Sequence, residues 1–347
     1  MTDGKRIAFG SESGPLENER GPQIPLTFTR SLEHGSEQRS EQNRRSFGQR
    51  AGIVCLNLLQ PGLGLIRLGR LKAGLSWIAI ECAICLVLLA VYRLGLIDDF
   101  PKFVMLMAGA LLAGLTLLIG PNVQSWHHSR VLDDESLAWW RRWYVLLGIA
   151  AIGLGLWIAW DDEMHRYYKP FVERSASMTP SLFSGEHFFA DMREGQPIER
   201  GSIVIVRHLG LPRVYRIVAM PGDRVKIASG VPVINGQKAG EVQEGQFRYA
   251  DADGEVLGQL FTERLPGETS AYQVLDTGPG LVDDVAELEV PEGYVYVLGD
   301  NRDRAADSRV GAELGGVGLI PFADVVGRPL FVTWSSDRTR IGLRLAN

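Results

Sequence analysis

The stretch from Tyr144 to Leu182 reads YVLLGIAAIGLGLWIAWDDEMHRYYKPFVERSASMTPSL. Its first part, Tyr144–Trp160, is apolar and uncharged, and it is nearly long enough to cross a bilayer core of ~30 Å as a helix. Charged residues follow at once, and from about Phe171 onward short β-rich runs alternate with turn residues. This stretch therefore predicts a boundary between a membrane-spanning part and a mostly β part of the chain.

Three further apolar stretches precede this one. Leu75–Tyr92 and Phe103–Gly120 are each long enough, or nearly so, to span a membrane, whereas Ala51–Ile66 is short and broken by Pro61-Gly62. We therefore expect three crossings, with the first stretch forming a re-entrant or interfacial segment. A fourth crossing by that stretch is the alternative.

Basic residues predict the orientation of the spans. Arg67–Lys72 and residues 122–142 are richer in arginine and lysine than Arg93–Lys102, which also carries two aspartates. By the positive-inside rule the first two segments are cytoplasmic and the third is external. Residues after Trp160 are then external as well.

The predicted organisation has three parts. Residues 1–50 are polar and lack an apolar run, so we expect them to be disordered. Residues 51–160 form a multi-helix transmembrane module, and residues 161–347 form an external, mostly β domain of antiparallel sheets. The runs that predict strands are Ser202–Arg207, Val214–Met220, Arg224–Ile227, Val231–Ile234, Gly293–Leu298 and Pro329–Trp334.

Composition argues against several classes of function. The formal net charge is -5 and no basic block occurs, so nucleic acid is not an expected partner. The three cysteines all lie in apolar segments, which leaves no disulfide framework in the C-terminal half. The histidines show no metal-binding spacing with carboxylates. We therefore expect no metal and no cofactor, and the sequence leaves the oligomeric state open.

Four short blocks in the predicted β domain carry residues suited to chemistry. A serine hydroxyl is a poor nucleophile until a base takes its proton, so a serine is informative only together with candidate bases. The blocks are SASMTPSL (175–182), RGSIVIVR (200–207), YRIVAMPGD (215–223) and GDNRDRAADSR (299–309).

Together the four blocks resemble the conserved boxes of the type I signal peptidases, which are Ser–Lys membrane proteases. The resemblance covers residues 171–337. The block from Gly299 to Arg309 is its most specific part, whereas Pro221-Gly222-Asp223 alone is an ordinary turn. The resemblance implies a signal-peptidase-like catalytic domain that cleaves exported precursors after small residues in the pattern Ala-x-Ala.

The family's functional positions transfer to this chain residue by residue. Ser177 matches the nucleophile, and Ser175 matches the residue whose hydroxyl helps to form the oxyanion hole, which stabilises charge on the scissile carbonyl oxygen. Met178 and Pro180 match substrate-binding positions. The residues at site-bracing positions are Arg216, Asp300, Arg302, Asp307, Ser308 and Arg309.

The position of the general base departs from the family. Tyr215 stands where the family has its lysine, and Ala305 stands where the family has the serine that orients this lysine. A phenol with a pKa of about 10 is ionised at roughly one part in a thousand at pH 7, and burial disfavours the anion further. Tyr215 is therefore a poor base unless a cation lies close, and Lys226 and His208 are the other candidates.

The expected function is that of a membrane-bound serine endopeptidase, a hydrolase that removes signal peptides. Its partners would be signal peptides of exported precursors and the lipid bilayer. Its place would be the bacterial plasma (inner) membrane, multi-pass, with the catalytic domain on the external, periplasmic side. The alternative is a pseudoprotease that binds signal peptides or a membrane partner without cleaving. Retention of Ser177 and Ser175 favours the enzyme, and loss of the lysine with its serine favours the pseudoprotease.

Overall fold

A computed structural model of the chain describes residues 45–130, 138–251, 254–311, 313 and 315–345. Most of the segment predicted to be disordered, residues 1–50, lies outside these described residues. The first helix begins at Phe47, earlier than the predicted boundary at residue 51. The Ser46 hydroxyl accepts from the Gln49 N–H, and the Gln49 side chain accepts from the Ser46 N–H. Such a reciprocal cap satisfies N–H groups that have no partner inside the helix.

In the part of the chain that the structure describes, the N-terminal module has five α-helices. Three of them are long and apolar enough to cross a membrane by length and composition, which agrees with the number of predicted spans. The helices are α1 (Phe47–Leu59), α2 (Leu63–Arg67), α3 (Leu71–Leu94), α4 (Phe100–His128) and α5 (Trp143–Tyr167), and the three long ones are α3, α4 and α5.

The first apolar stretch doubles back between α1 and α2. Gly62 adopts a φ of 94°, which a residue with a side chain rarely takes, and an added Cβ would also meet the Gly74 carbonyl oxygen. The Asn57 side-chain oxygen accepts the N–H groups of Gly62 (3.1 Å) and Gly64 (2.9 Å), and its amide donates to Ser125 on α4 (3.0 Å). The chain therefore reverses at the Pro61-Gly62 break, and a re-entrant place for this stretch in the membrane stays a prediction.

The β domain contains three sheets, all with antiparallel pairing between named strands. The predicted fold class, apolar helices followed by a mostly antiparallel β domain, is confirmed. The strands are β1 (Tyr168–Val172), β2 (His187–Asp191), β3 (Ile203–His208), β4 (Leu211–Ala219), β5 (Arg224–Ala228), β6 (Val231–Ile234), β7 (Gln237–Lys238), β8 (Gly240–Asp251), β9 (Gly254–Arg264), β10 (Tyr272–Asp276), β11 (Val285–Glu289), β12 (Tyr294–Leu298), β13 (Ile320–Pro321) and β14 (Val325–Trp334).

The seven-stranded sheet brings the sequence blocks together. Its order is β1-β2-β14-β3-β4-β12-β13, so β4 lies directly beside β12. Leu298, at the end of β12, pairs with Arg216 on β4, and the block Gly299–Arg309 begins at once after this pair. The serine block follows β1. Strand order therefore places the blocks of β3, β4 and the end of β12 side by side, whereas β1, which precedes the serine block, is the edge strand on the other side of β2, β14 and β3.

Aromatic contacts join the β domain to the helical module. Phe103 of α4 packs against Phe189 of β2 (ring centroids 4.9 Å apart) and Phe331 of β14 (5.6 Å). Phe100 also contacts Phe331, at 5.8 Å. These rings share a buried cluster with Ile97 in the α3–α4 connection. The seven-stranded sheet is thus anchored where α3 ends and α4 begins.

Candidate active site

The serine loop, Glu173–Ser177, follows β1 and is fixed from two sides. The Glu173 N–H donates to the carbonyl of Glu186 (2.9 Å) at the entrance to β2. From the other side, Asn301 donates its backbone N–H to the Ser177 carbonyl (3.0 Å) and its side-chain amide to the carbonyl of Ala176 (2.9 Å). Asn301 therefore ties the block after β12 to the serine loop.

Three side chains of the serine loop form a continuous hydrogen-bonded chain. The Oγ atoms of Ser177 and Ser175 are 2.8 Å apart. The Ser175 hydroxyl donates to Glu173 Oε1 at 2.8 Å, and the Ser175 N–H donates to the same oxygen at 2.9 Å. Burial raises the pKa of the Glu173 carboxyl, and the hydrogen bonds from Ser175 oppose this rise. A carboxylate thus lies two hydrogen bonds from the predicted nucleophile.

Both serines line a groove of about 770 Å³. Among the described residues that line it, Glu173 carries the only carboxylate, and neither a lysine nor a histidine lines it. Three arginines also line it, but an arginine side chain is not deprotonated in proteins and cannot serve as a base. Its apolar lining includes Phe171, Phe188, Ile205, Leu211 and Val214.

Tyr215 lines the same groove but acts as a hydrogen-bond donor. Its hydroxyl donates to the carbonyl of Ala306 at 2.8 Å. Burial raises the pKa of the Tyr215 phenol, and Arg213 only partly opposes this rise. The phenol therefore stays protonated near neutral pH, which agrees with the sequence-based argument against Tyr215 as the base.

The other two candidate bases do not line the groove. Lys226 is exposed on β5, in the four-stranded sheet with order β11-β5-β6-β7. His208 is at the end of β3, where it pairs with Leu211. Neither residue lines the groove, so the structure does not bring either of them to Ser177.

A buried ion pair ties β4 to the block after β12. Arg216 donates from Nε and Nη2 to the two carboxylate oxygens of Asp300, both at 2.7 Å, and both side chains are at most 2% exposed. Arg216 also donates to the Gly201 carbonyl (2.6 Å) and lies over the Tyr272 ring (3.9 Å). This fork geometry matches a bidentate arginine–carboxylate pair, which fixes orientation as well as distance.

Two further buried pairs shape the same block. Arg302 donates to Glu263 of β9 at 2.6 Å, and Glu263 also accepts from the Tyr272 hydroxyl at 2.5 Å. Arg309 donates to both oxygens of Asp307 at 2.9 Å. The positions predicted to brace the site are therefore engaged in buried polar contacts.

Ser308 braces the backbone on both sides of its loop. Its hydroxyl donates to the Gly318 carbonyl at 2.6 Å and accepts from the Val297 N–H at 2.9 Å. This links the segment after Arg309 to β12.

Met178 and Pro180 differ from their predicted position. Both are buried, and Met178 is 0% exposed in a core cluster with Leu182 and Phe188. Neither residue lines the groove. The reason is that the chain turns inward after Ser177, so that these side chains support the serine loop from below. Both residues pack in the core of this structure, and their contact with substrate stays a prediction.

Comparison with known proteins identifies the family. The family model described as signal peptidase, peptidase S26, matches residues 140–334. The chain belongs to this family. Since the family consists of serine peptidases, the chain is a hydrolase of that class, and its three long apolar helices are consistent with a membrane protein.

Curated relatives carry the name signal peptidase I. That of Bacillus licheniformis is 30% identical over 177 residues, which cover 50% of this chain and 80% of the relative. That of Rickettsia typhi is 32% identical over 150 residues, which cover 41% of this chain and 54% of the relative. A solved structure of signal peptidase I from Enterococcus faecalis V583 is 21% identical and covers 38% of this chain and 97% of that chain, with a TM-score of 0.23.

Sequence reasoning missed two members of the site. Glu173 lies outside the matched serine block, and its contact with Ser175 depends on how the chain turns after β1. Asn301 lies inside a quoted block, but its role in holding the serine loop depends on the distance between two strands that are far apart in sequence. The nearness of Glu173 to Ser177 in the chain was the one available signal.

Proposed function

We propose that the chain removes signal peptides from exported precursor proteins, with Ser177 as the nucleophile. The observation that carries this proposal is the pair of neighbouring hydroxyls, Ser175 and Ser177, in a groove with polar and apolar lining in a family member. An extended precursor segment would lie along the groove and present its scissile carbonyl to Ser177 Oγ. Small side chains next to that bond would let the two backbones approach closely.

The junction between helices and sheet supports a substrate at the membrane surface. The contacts of Phe100 and Phe103 with Phe331 hold the sheet against the helical module, and the serine loop follows α5 after a single short strand. The apolar segment of a signal peptide reaches the lipid interior but is too short to carry the chain far beyond the bilayer. The end of the signal peptide therefore lies near the membrane surface, close to the junction between helices and sheet.

The proposed location is a bacterial plasma membrane with the β domain on the periplasmic side. The distribution of basic residues supports this orientation. Single cysteines placed in a variant without the native cysteines test it with a membrane-impermeant thiol reagent. Gly240→Cys should label from outside, and Arg130→Cys should not. Labelling of Arg20→Cys from outside would favour a fourth crossing, and protection of Gly240→Cys would contradict the orientation.

Cleavage of a precursor tests the function. The full chain, purified and reconstituted in proteoliposomes, is incubated with a precursor that ends its signal peptide in Ala-x-Ala, and the new N-terminus is sequenced. Wild type should produce one N-terminus directly after this pattern, and Ser177→Ala should produce none. An intact precursor with both proteins would contradict the enzyme.

The rival function is a pseudoprotease that binds signal peptides without cleavage. The observation in its favour is the Tyr215 hydroxyl, which is engaged with the Ala306 carbonyl where the family has its lysine. Retention of a fluorescent signal peptide by both wild type and Ser177→Ala, with no product from either, would be the expected result for this function.

A further inference from the structure

The serine loop holds a group that can take the place of the absent lysine. A serine peptidase needs a proton acceptor within reach of its nucleophile, directly or through one hydrogen-bonding group. The Tyr215 hydroxyl donates a hydrogen bond to the Ala306 carbonyl, and neither Lys226 nor His208 lines the groove. Glu173 is the only carboxylate among the described residues that line the groove.

We propose that Glu173 is the proton acceptor of this site and that Ser175 relays the Ser177 proton to it. The proposal rests on the function proposed above and extends it to a specific route for the proton. Glu173 acts through Ser175 and does not touch the substrate. Ser177 remains the residue that forms the bond to the substrate.

The directions of the hydrogen bonds support the relay. An ionised carboxylate can only accept, so the single proton of the Ser175 hydroxyl points to Glu173 Oε1. Ser175 Oγ must then accept in its contact with Ser177, which is 2.8 Å long. Ionised Glu173 therefore directs the Ser177 proton towards Ser175 and leaves the lone pairs of Ser177 Oγ to face the groove.

The relay balances as a chemical step. Ser177 Oγ forms a bond to the scissile carbonyl carbon while its own proton passes to Ser175 Oγ. The proton of Ser175 passes at the same time to Glu173 Oε1. When the tetrahedral intermediate collapses, the same chain returns one proton to the leaving amine, and the C–N bond breaks. A water molecule then hydrolyses the acyl-enzyme by the same route.

The relay changes the role that the resemblance implies for Ser175. A hydroxyl has one proton, and here Glu173 accepts it. Ser175 therefore cannot donate to the oxyanion while it serves as the relay. The Ser177 N–H donates to Ser175 Oγ at 3.4 Å in this structure, and it would have to leave this long contact to serve as the loop's donor to the oxyanion. Burial raises the Glu173 pKa above its usual range, which brings it closer to the pH at which a peptidase works.

The test measures the reactivity of Ser177 separately from precursor cleavage. The full chain in detergent is treated with an alkyl fluorophosphonate, in which Ser177 Oγ forms a bond to phosphorus, fluoride leaves and the proton goes to the acceptor. The rate of Ser177 modification is followed by mass spectrometry from about pH 4 to pH 8. The variants are Glu173→Gln and, as a matched control on an exposed carboxylate, Glu292→Gln.

Wild type should be modified at Ser177 with a rate that rises with pH through a pKa above the usual glutamate value of about 4.3. Glu173→Gln should lower the rate about 10²- to 10⁴-fold and remove this dependence, because an amide oxygen accepts both Ser175 bonds but takes no proton. Glu292→Gln should match wild type. A Glu173→Gln rate within about threefold of wild type would overturn the relay.

Two further outcomes decide the proposal. Wild type that is not modified, or that is modified without any pH dependence in this range, contradicts the relay even if Glu173→Gln fails to fold. Precursor cleavage measured on the same samples separates the two proposals. Modification that depends on Glu173 without cleavage contradicts the signal peptidase function alone. Equal cleavage by wild type and Glu173→Gln contradicts the relay alone.

Discussion

The serine loop and the tyrosine wall border the same groove with opposite chemistry. The tyrosine wall consists of Tyr215 and Ala306, which line the groove, and Ala305, which precedes Ala306 in the chain. The serine loop offers a hydrogen-bonded chain that ends in an acceptor, Glu173. The tyrosine wall offers a phenol whose O–H already donates a hydrogen bond to the Ala306 carbonyl. The ordinary arrangement implied by the family places the base on this wall. Here the wall has lost that group, and the only carboxylate among the described lining residues stands on the serine side.

If Glu173 accepts the proton as proposed, the loss of the lysine and its serine partner does not by itself mean loss of activity. A lysine works as a base when it is neutral, and burial favours its neutral form. A carboxylate works when it is ionised, so it needs hydrogen-bond donors to hold its charge in a buried place. Ser175 supplies two donors to Glu173, one from its N–H and one from its hydroxyl.

The largest effect is expected from Ser175→Ala. This change removes the hydroxyl between Ser177 and Glu173, so precursor cleavage should fall about 10²- to 10⁴-fold. Ser175→Thr keeps a hydroxyl at an exposed position and should retain most of the rate. Initial rates with a fluorogenic precursor peptide measure both. An equal loss in the two variants would mean that Ser175 matters for the shape of the loop and not for its proton.

The buried Arg216–Asp300 pair supports the groove, and removing one partner should lower the free energy of unfolding. Arg216→Met leaves Asp300 buried without its partner, which costs about 3–5 kcal/mol. Arg248→Met removes a pair whose side chains are 66% and 70% exposed, and it should cost less than about 1 kcal/mol. Thermal unfolding in detergent compares the two. Arg216→Met with Asp300→Leu should recover part of the loss, because no buried charge is then left unpaired.

The sequence predicts the tyrosine side of the site better than the serine side. Tyr215 and Ala305 stand out because the blocks around them define which residue is expected there. Glu173 lies outside the matched blocks, so no expected residue marks its position, and its contact with Ser175 arises from a turn whose geometry no local sequence pattern specifies. Strands show the same limit. Strands β3 to β6 coincide with apolar runs in the sequence. Strands β8 and β9 form a long ribbon with mostly exposed or half-buried side chains, so no alternation of apolar and polar residues predicts them.

Restoring the tyrosine wall sharpens the comparison. Tyr215→Lys with Ala305→Ser returns the base and its orienting hydroxyl. If Glu173 already accepts the proton, the double change in the wild-type chain should alter the rate by less than about threefold. In a Glu173→Gln chain the same change should recover at least about tenfold.

The pH profile identifies which group acts in each chain. A lysine base is active only when neutral, so the restored Glu173→Gln chain should gain activity at higher pH than wild type does. Tyr215→Lys alone should recover less, because an unoriented lysine seldom faces Ser177. A gain of about 10²-fold or more in the wild-type chain would contradict the relay and indicate a decayed lysine site.

The smallest effect is expected from Tyr215→Phe. The change removes the hydroxyl that donates to the Ala306 carbonyl. Since Ala306 is exposed, water can replace this donor, and the loss of unfolding free energy should be near the lower end of about 0.5–1.5 kcal/mol. Because the Tyr215 pKa is raised, the phenol is protonated at neutral pH in any case, and cleavage should change by less than about threefold. Tyr294→Phe on β12 is the comparison for loss of a phenol outside the groove, since Tyr294 is 38% exposed whereas Tyr215 is 3% exposed. A hundredfold fall in the cleavage rate with Tyr215→Phe alone, at unchanged melting temperature, would contradict this expectation. A loss of rate without a loss of stability would indicate that the Tyr215 hydroxyl takes part in proton transfer, and the base would then lie on the tyrosine wall.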